Sequence, residues 1–297
     1  HITWIPGTSY FRSFVGEHLQ SDFAGQNPEL LPSWEEVSSL KKAYADSFRI
    51  QYRNNDHLNG RTLVEPYGDK TAVVVNPPMA PLEGMNLDDV YELPYEGEAH
   101  PMYNEAGGVP AIEEVKFSIV ANRGCFGGCS FCAITYHQGR EVRGRSKKSI
   151  LKEAEALTKK PDFKGYIHDV GGPTANFHSP ACKKQLKTGV CKGKECLYPE
   201  PCSELIVDHG EYLDILRNVR RLPGVKKVFI RSGIRYDYVM ADKSHEFIEE
   251  ICKYHVSGTL KVAPEHISPW VLARMRKPPK EIFEDFSRKY KETNERI

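Results

Sequence analysis

The run CFGGCSFC places Cys125, Cys129 and Cys132 in C-x3-C-x2-C spacing directly after an alternating apolar segment, and no other feature restricts the chain as strongly. Thiolates this close together on a glycine-bearing loop can hold three corners of one iron–sulfur cube, which ordinarily takes four. Three protein ligands leave one iron open, and an open iron is a place for chemistry. Gly124, Gly127 and Gly128 let the backbone pass close to a bulky inorganic group. Phe131, just ahead of the third cysteine, offers an aromatic face beside it. The plainer alternative is zinc held by the three cysteines and His137, although zinc ligands more often come as two paired knuckles.

The surrounding pattern divides near residue 110. Before it, Ser33 and Glu36 form a capping box ahead of Trp34, Val37, Leu40, Tyr44 and Phe48 at helical spacing. Thr71 to Asn76 reads as a strand, and the Pro- and Gly-rich stretch from Pro78 to Pro110 as an extended connection. After it, strand and helix alternate. Val115, Phe117 and Ile119 predict a strand that feeds the cysteine loop, and Ser146 caps a helix with Ile150, Leu151, Ala154 and Leu157 on one face. A second strand, Gly165 to Val170, ends in Gly171-Gly172-Pro173. Further elements are a helix from Tyr212 to Leu222, a third strand from Val228 to Arg231 and a helix opened by Ser244. A fourth strand from Thr259 to Ala263 precedes a helix begun by Ser268-Pro269 and ended by Pro278-Pro279. This alternation predicts an α/β fold with a parallel sheet, a (β/α) barrel or part of one, whose site lies at the C-terminal ends of the strands. The expected domains are 1–110, an N-terminal α/β extension or the end of an upstream domain, and 111–297, a partial barrel with a Cys-rich insert at about 174–208.

Composition limits the partners. The chain of 297 residues has a formal net charge of +1, which gives no electrostatic case for nucleic acid or an anionic membrane. No apolar run approaches the ~20 residues that span a bilayer, and no secretory signal opens the sequence. The eight cysteines are clustered rather than spread as a disulfide framework, which points to metal in a reducing, cytoplasmic compartment. Cys182, Cys191, Cys196 and Cys202 form a second group in a lysine-rich insert too polar to build its own core. Structural zinc, a second iron–sulfur cluster and a metal-free loop are all open there. Cys252 shares an apolar face with Phe247, Ile248 and Ile251 and reads as core.

The triplet, with an aromatic before its last cysteine, resembles the signature of the radical S-adenosylmethionine (SAM) superfamily. The strings RGCFGGCSFCAITYHQGR, RSKKSIL, YIHDVGGPTANF, GVKKVFIRSGIRYD and KVAPEH resemble, more narrowly, its uncharacterised YgiQ-type family. The resemblance implies an oxidoreductase-like iron–sulfur enzyme in which Cys125, Cys129 and Cys132 bind a [4Fe–4S] cluster and the fourth iron chelates the methionine part of SAM. One electron from a donor such as flavodoxin or ferredoxin would cleave SAM to methionine and a 5′-deoxyadenosyl radical that abstracts hydrogen from an unidentified substrate. Gly171, Gly172 and Pro173 occupy the place of the turn that meets the SAM amino group, with proline where that turn carries an acid. Phe131 would lie along the adenine. Ser232, Arg235, Glu265 and His266 stand where ribose and carboxylate contacts come from, with Glu265 the strongest among them. Asp169, late in the second strand, either faces the barrel interior or, more simply, makes a buried structural hydrogen bond.

Two other classes stay open. The basic stretch His137, Arg140, Arg143 and Arg145, with VLARMRKP, fits an RNA-modifying, methylthiotransferase-like enzyme, against the balanced charge. A non-catalytic iron–sulfur or zinc protein with an interaction surface is the other. Four strands after residue 110 are fewer than a radical SAM core needs, so the chain is expected to be a fragment, truncated before its last strands, with an incomplete SAM pocket.

Overall fold

The computed structural model describes residues 2–13, 28–256 and 258–297. They divide into two compact units, His1–Pro81 with Lys183–Lys194, and Leu82–Cys182 with Glu195–Ile297. The boundary expected near residue 110 falls inside the second unit, and part of the Cys-rich insert belongs to the first.

The first unit is a four-stranded sheet in the order Ser9–Ser13, Thr71–Val75, Leu63–Tyr67, Glu29–Leu30. Its central strands are an antiparallel hairpin with Val64 opposite Val74. Alternation along Thr71–Val75 puts Ala72 and Val74 on the buried face beside Val64, as period-two patterning requires. The Ser33–Glu36 capping box forms. The helix behind it ends at Ser39, Leu40 adopts an extended conformation, and a second helix runs Lys41–Arg53. Trp34, Tyr44 and Phe48 are exposed, so the helical spacing did not mark a core face. Trp34 instead stacks on Tyr67, with ring centroids 5.7 Å apart. Within this unit the Asp56 carboxylate accepts from Val190 N at 3.1 Å, and Asn59 Nδ2 donates to the Thr188 and Val190 carbonyls.

The second unit carries the β/α alternation. Ser118–Val120 pairs in parallel with Asp169–Gly171, and Tyr166–Ile167 with Lys227–Val228. The bonds Val170 N to Phe229 O and Phe229 N to Ile167 O continue the second pairing. The helices Lys147–Thr158 and Gly210–Arg220 follow the first and second strands, as right-handed crossover units do. Ser146 Oγ accepts from Ser149 N at 3.1 Å and fixes the start of the first helix. The core between sheet and helices contains Ile119, Ile150, Ile167, Val170, Ile215, Leu216, Val219, Val228 and Phe247. Each such large side chain contributes about 1.5–3 kcal/mol on burial. The described strands of this unit form two short parallel pairs and one antiparallel pair, Asn122–Arg123 with Arg143–Gly144, and no closed barrel.

Several expected elements differ. Val115 ends a helix, Ala111–Val115, whose first turn carries Glu113 and Glu114, and the strand begins only at Ser118. The fourth strand, Thr259–Ala263, does not form. Between Gly258, at φ +101°, and Pro264 only the bridge Ile234–Val262 and the bond Ile234 N to Lys261 O remain. The connection after Pro78 contains a helix, Gly84–Tyr91. The helix expected from Ser244 runs Glu246–Glu250 and widens into a π turn, Ile251–His255. After Pro278-Pro279 a long helix, Lys280–Arg296, packs Phe286 against Tyr236.

Candidate metal centre

The cysteine loop leaves the sheet at Gly124, whose φ of +80° suits glycine and whose Cβ would lie 2.2 Å from the Glu141 carbonyl. Cys125 N donates to Gly139 O at 3.1 Å, and Ser130 donates from N and Oγ to the Met275 and Arg274 carbonyls. The loop is thus tied at one end to the turn before Arg140 and at the other to the helix Pro269–Met275. Cys125 is buried, whereas Cys129 and Cys132 are partly exposed.

Two of the three sulfurs have donors aimed at them. Cys125 Sγ lies 3.3 Å from Thr174 Oγ1 and accepts from Gly127 N at 3.4 Å. Burial pushes the Cys125 thiol up, against the opposing pull of Thr174, Gly127 N–H and the Arg235 guanidinium. Cys129 Sγ receives Arg235 Nη1 at 3.5 Å. A Cβ at Gly127 would lie 2.4 Å from Arg235 Nη1, and one at Gly128 2.3 Å from Glu195 Oε2. Both glycines make room for charged groups pressed against the loop, a reason beyond backbone freedom. Glu195 holds Arg140 Nη2 at 2.7 Å and Arg276 Nη1 at 2.6 Å.

The Gly-Gly-Pro turn lies beside this loop because its strand pairs with the one that feeds it. Ala121 N donates to Gly171 O at 2.6 Å. A Cβ at Gly171 would meet Ser232 Oγ at 2.4 Å and one at Gly172 would meet Asn122 Oδ1 at 2.3 Å. Pro173 delivers Thr174 to Cys125. Ser232 Oγ donates to Asp169, whose Oδ1 also accepts from Arg231 N at 2.8 Å and Ser232 N at 3.1 Å. Asp169, expected to be buried, is half-buried and accepts from the Ser232 hydroxyl and from two backbone N–H groups. Phe131 is exposed, and Lys277 Nζ lies 5.8 Å from its ring centre. Lys277 is buried, donates to Ala263 O at 2.8 Å and lies 3.6 Å from Glu265 Oε1. His266 Nδ1 accepts from Ser268 N at 2.9 Å.

The basic stretch is not a free patch. Arg140 pairs with Glu195, Arg143 with Glu83 and Glu141, and Arg145 with Glu153 while lying over the Tyr91 ring. The charges of Arg140, Arg143 and Arg145 are thus met by carboxylates of this unit. Among the described residues no group of three or more His, Cys, Asp or Glu side chains is gathered to hold a single metal ion. A single tetrahedral zinc draws its sulfurs to about 3.8 Å of one another, whereas a cube takes thiolates at wider separation, so that observation concerns a lone ion only. Cys182, Cys196 and Cys202 belong to the second unit, where Cys202 N donates to Cys196 O at 2.9 Å, and Cys191 belongs to the first. Cys252 packs against the main core, its thiol pushed up to about 11 by burial.

The Radical SAM superfamily pattern matches residues 119–295, and the Radical SAM N-terminal pattern matches residues 1–118. The chain belongs to the radical SAM superfamily. A UPF0313 protein of Clostridium perfringens is 55% identical over 297 residues, all of this chain and 44% of that protein. One of Clostridium botulinum is 57% identical over 267 residues, 90% of this chain and 41% of the relative. The chain thus spans less than half the length of the curated relatives it matches. For a radical SAM protein the donor set fits a [4Fe–4S] cluster: three soft thiol ligands on one short loop and a buried cation against the Cys129 sulfur. No helix among the described residues is long and apolar enough to cross a membrane.

Sequence reasoning missed Thr174, Glu195, Asp237 and Lys277. Thr174 directly follows the Gly-Gly-Pro turn and Lys277 directly precedes Pro278, so their neighbours were visible. Their partners were not: Cys125 lies 49 residues from Thr174, and Phe131, Ala263 and Glu265 meet Lys277 from other loops.

Proposed function

We propose that this chain is the catalytic core of a radical SAM iron–sulfur enzyme that cleaves SAM reductively and uses the carbon radical on a substrate still to be identified. The observation that supports this most is the pair of polar groups turned to the sulfurs, the Thr174 hydroxyl at Cys125 and the Arg235 guanidinium on Cys129, around a superfamily triplet. Cys125, Cys129 and Cys132 would hold the cluster. The chemistry so supplied would be one-electron reduction of the SAM sulfonium, with the electron drawn from a small low-potential carrier and methionine and a 5′-deoxyadenosyl radical as products.

The chain's own residues bind and orient. Gly171 and Gly172, with no Cβ to block approach, offer backbone carbonyls to an ammonium, which explains how Pro173 can stand where an acid would. Gly171 O already accepts from Ala121 N, and a carbonyl has a second lone pair. Phe131 offers an exposed ring for stacking on a purine. Lys277, over that ring, pairs with Glu265, and the two charges are able to meet a carboxylate and a ribose hydroxyl. Ser232, held by Asp169, lines the Gly171 side. The test is incubation of the anaerobically reconstituted full-length protein with SAM and dithionite. We expect 5′-deoxyadenosine from wild type and none from Cys125→Ala. No 5′-deoxyadenosine from a cluster-loaded wild type would refute the reading.

A further inference from the structure

We propose that Arg235 and Asp237 form a buried charge pair that sets the reduction potential of the cluster held by Cys125, Cys129 and Cys132. The proposal rests on the functional reading above and adds a task to it. Arg235 is 6% exposed and its guanidinium is fixed by two parallel bonds, Nε to Asp237 Oδ1 at 2.8 Å and Nη2 to Asp237 Oδ2 at 2.6 Å. Its backbone is fixed as well. Arg235 N donates to Asn176 Oδ1 at 2.8 Å, and Asn176 Nδ2 donates back to Arg235 O at 3.2 Å. Asn176 Nδ2 lies 3.2 Å from His209 Nε2, and His209 Nδ1 lies 2.7 Å from Asp242.

So anchored, the guanidinium turns its remaining edge to the cysteine loop. Nη1 donates to Gly127 O at 3.3 Å and reaches Cys129 Sγ at 3.5 Å. Gly127 has no side chain to prevent this. An ion pair this deep is costly to desolvate and is a poor device for stability alone. Hydrogen bonds to the sulfurs and local charge are what tune an iron–sulfur centre. A cation against a thiolate favours the more negative, reduced state. Asp237, holding a different edge of the same guanidinium, moderates that effect. Arg235 is in this sense a positioning residue acting through the cluster, and removing the two charges one at a time must move the potential in opposite directions. A structural role would not produce that sign reversal.

The experiment is a redox titration, followed by electron paramagnetic resonance without SAM, of the anaerobically reconstituted full-length protein and of Arg235→Gln, Arg235→Lys and Asp237→Asn, with iron and sulfide counted in each. The midpoint falls in Arg235→Gln and rises in Asp237→Asn. Each shift corresponds to at least a tenfold change in the reduction equilibrium, about 59 mV for one electron. Arg235→Lys, which keeps the charge, stays closer to wild type than Arg235→Gln. Midpoints that move together, or do not move, overturn the proposal. If Arg235→Gln does not fold, Asp237→Asn decides alone, and an unchanged or lower midpoint there overturns it. A wild type without a four-iron cluster overturns the functional reading itself, and the metal count registers that before any potential is measured.

Discussion

The Thr174 hydroxyl lies 3.3 Å from the Cys125 sulfur, at the one cysteine of the triplet that is buried. The contact joins the turn after the second strand to the loop after the first, which is how a parallel pair brings two chemical segments together. Thr174→Val keeps the shape and removes the donor. With a hydrogen bond to a charged group contributing about 1.5–3 kcal/mol, iron should leave the variant for a chelator about tenfold faster. Equal release rates would show that the hydroxyl does not support the thiolate.

Gly128 and Glu195 are coupled. Gly128 has φ +64°, and its missing Cβ leaves space for the carboxylate that joins Arg140 and Arg276. Gly128→Ala adds backbone strain of about 1–2 kcal/mol to that clash. Glu195→Ala removes a carboxylate paired with the buried Arg140 and should cost about 3 kcal/mol in urea unfolding. The double variant should lose clearly less than the sum, because the clash disappears with the carboxylate. Strict additivity would deny the coupling.

Lys277 Nζ lies 5.8 Å from the Phe131 ring centre, and the proposed site gives it an anionic ligand group to meet. Lys277→Gln should weaken SAM binding about tenfold, equivalent to about 1.4 kcal/mol, while iron and sulfide contents stay at wild-type levels. Calorimetry on the reconstituted protein measures the first and colorimetric assay the second. Unchanged SAM affinity would remove Lys277 from the site.

Acid should destabilise the second unit through its buried histidines. Burial pushes His255 below its ordinary 6.5, against Glu250 and the Val228 carbonyl, with Arg220 acting in the same direction as burial. Burial likewise lowers His209, opposed by Asp242 and Asp208. The unfolded chain takes up protons below about pH 6.5 while the folded one resists. This contribution is therefore complete above that pH and is lost as pH falls through the folded values. The urea midpoint should drop between about pH 7.5 and about pH 5.5, and His255→Gln should show a smaller drop. An identical drop in the variant would place the effect elsewhere.

What the sequence revealed was local. The Ser33–Glu36 box, the Ser146 cap and the Pro269 helix start depend on residues within one turn, and each forms. The cysteine triplet and its family were legible because the ligands lie within one loop. The helix through Leu40 and the strand at Thr259–Ala263 were misread because periodicity does not register a break at a single residue or flanking Gly258 and Pro264. Arg235 on Cys129, 106 residues apart, and Thr174 on Cys125, 49 apart, depend on strand pairing that no spacing rule encodes. The partners of the arginines after the triplet were not legible: Glu83 and Glu195 fall in other segments, and for Glu141 and Glu153, nearby in the chain, spacing alone does not say which side chains meet.

The most direct measurement is iron and sulfide analysis of the anaerobically reconstituted protein, with the resonance spectrum of its dithionite-reduced form recorded before and after SAM. The account predicts about four irons and four sulfides per chain, lost in Cys125→Ala, and a spectrum that changes when SAM binds the open iron. Stoichiometric zinc at the triplet, or a cluster whose spectrum SAM leaves untouched, would contradict it.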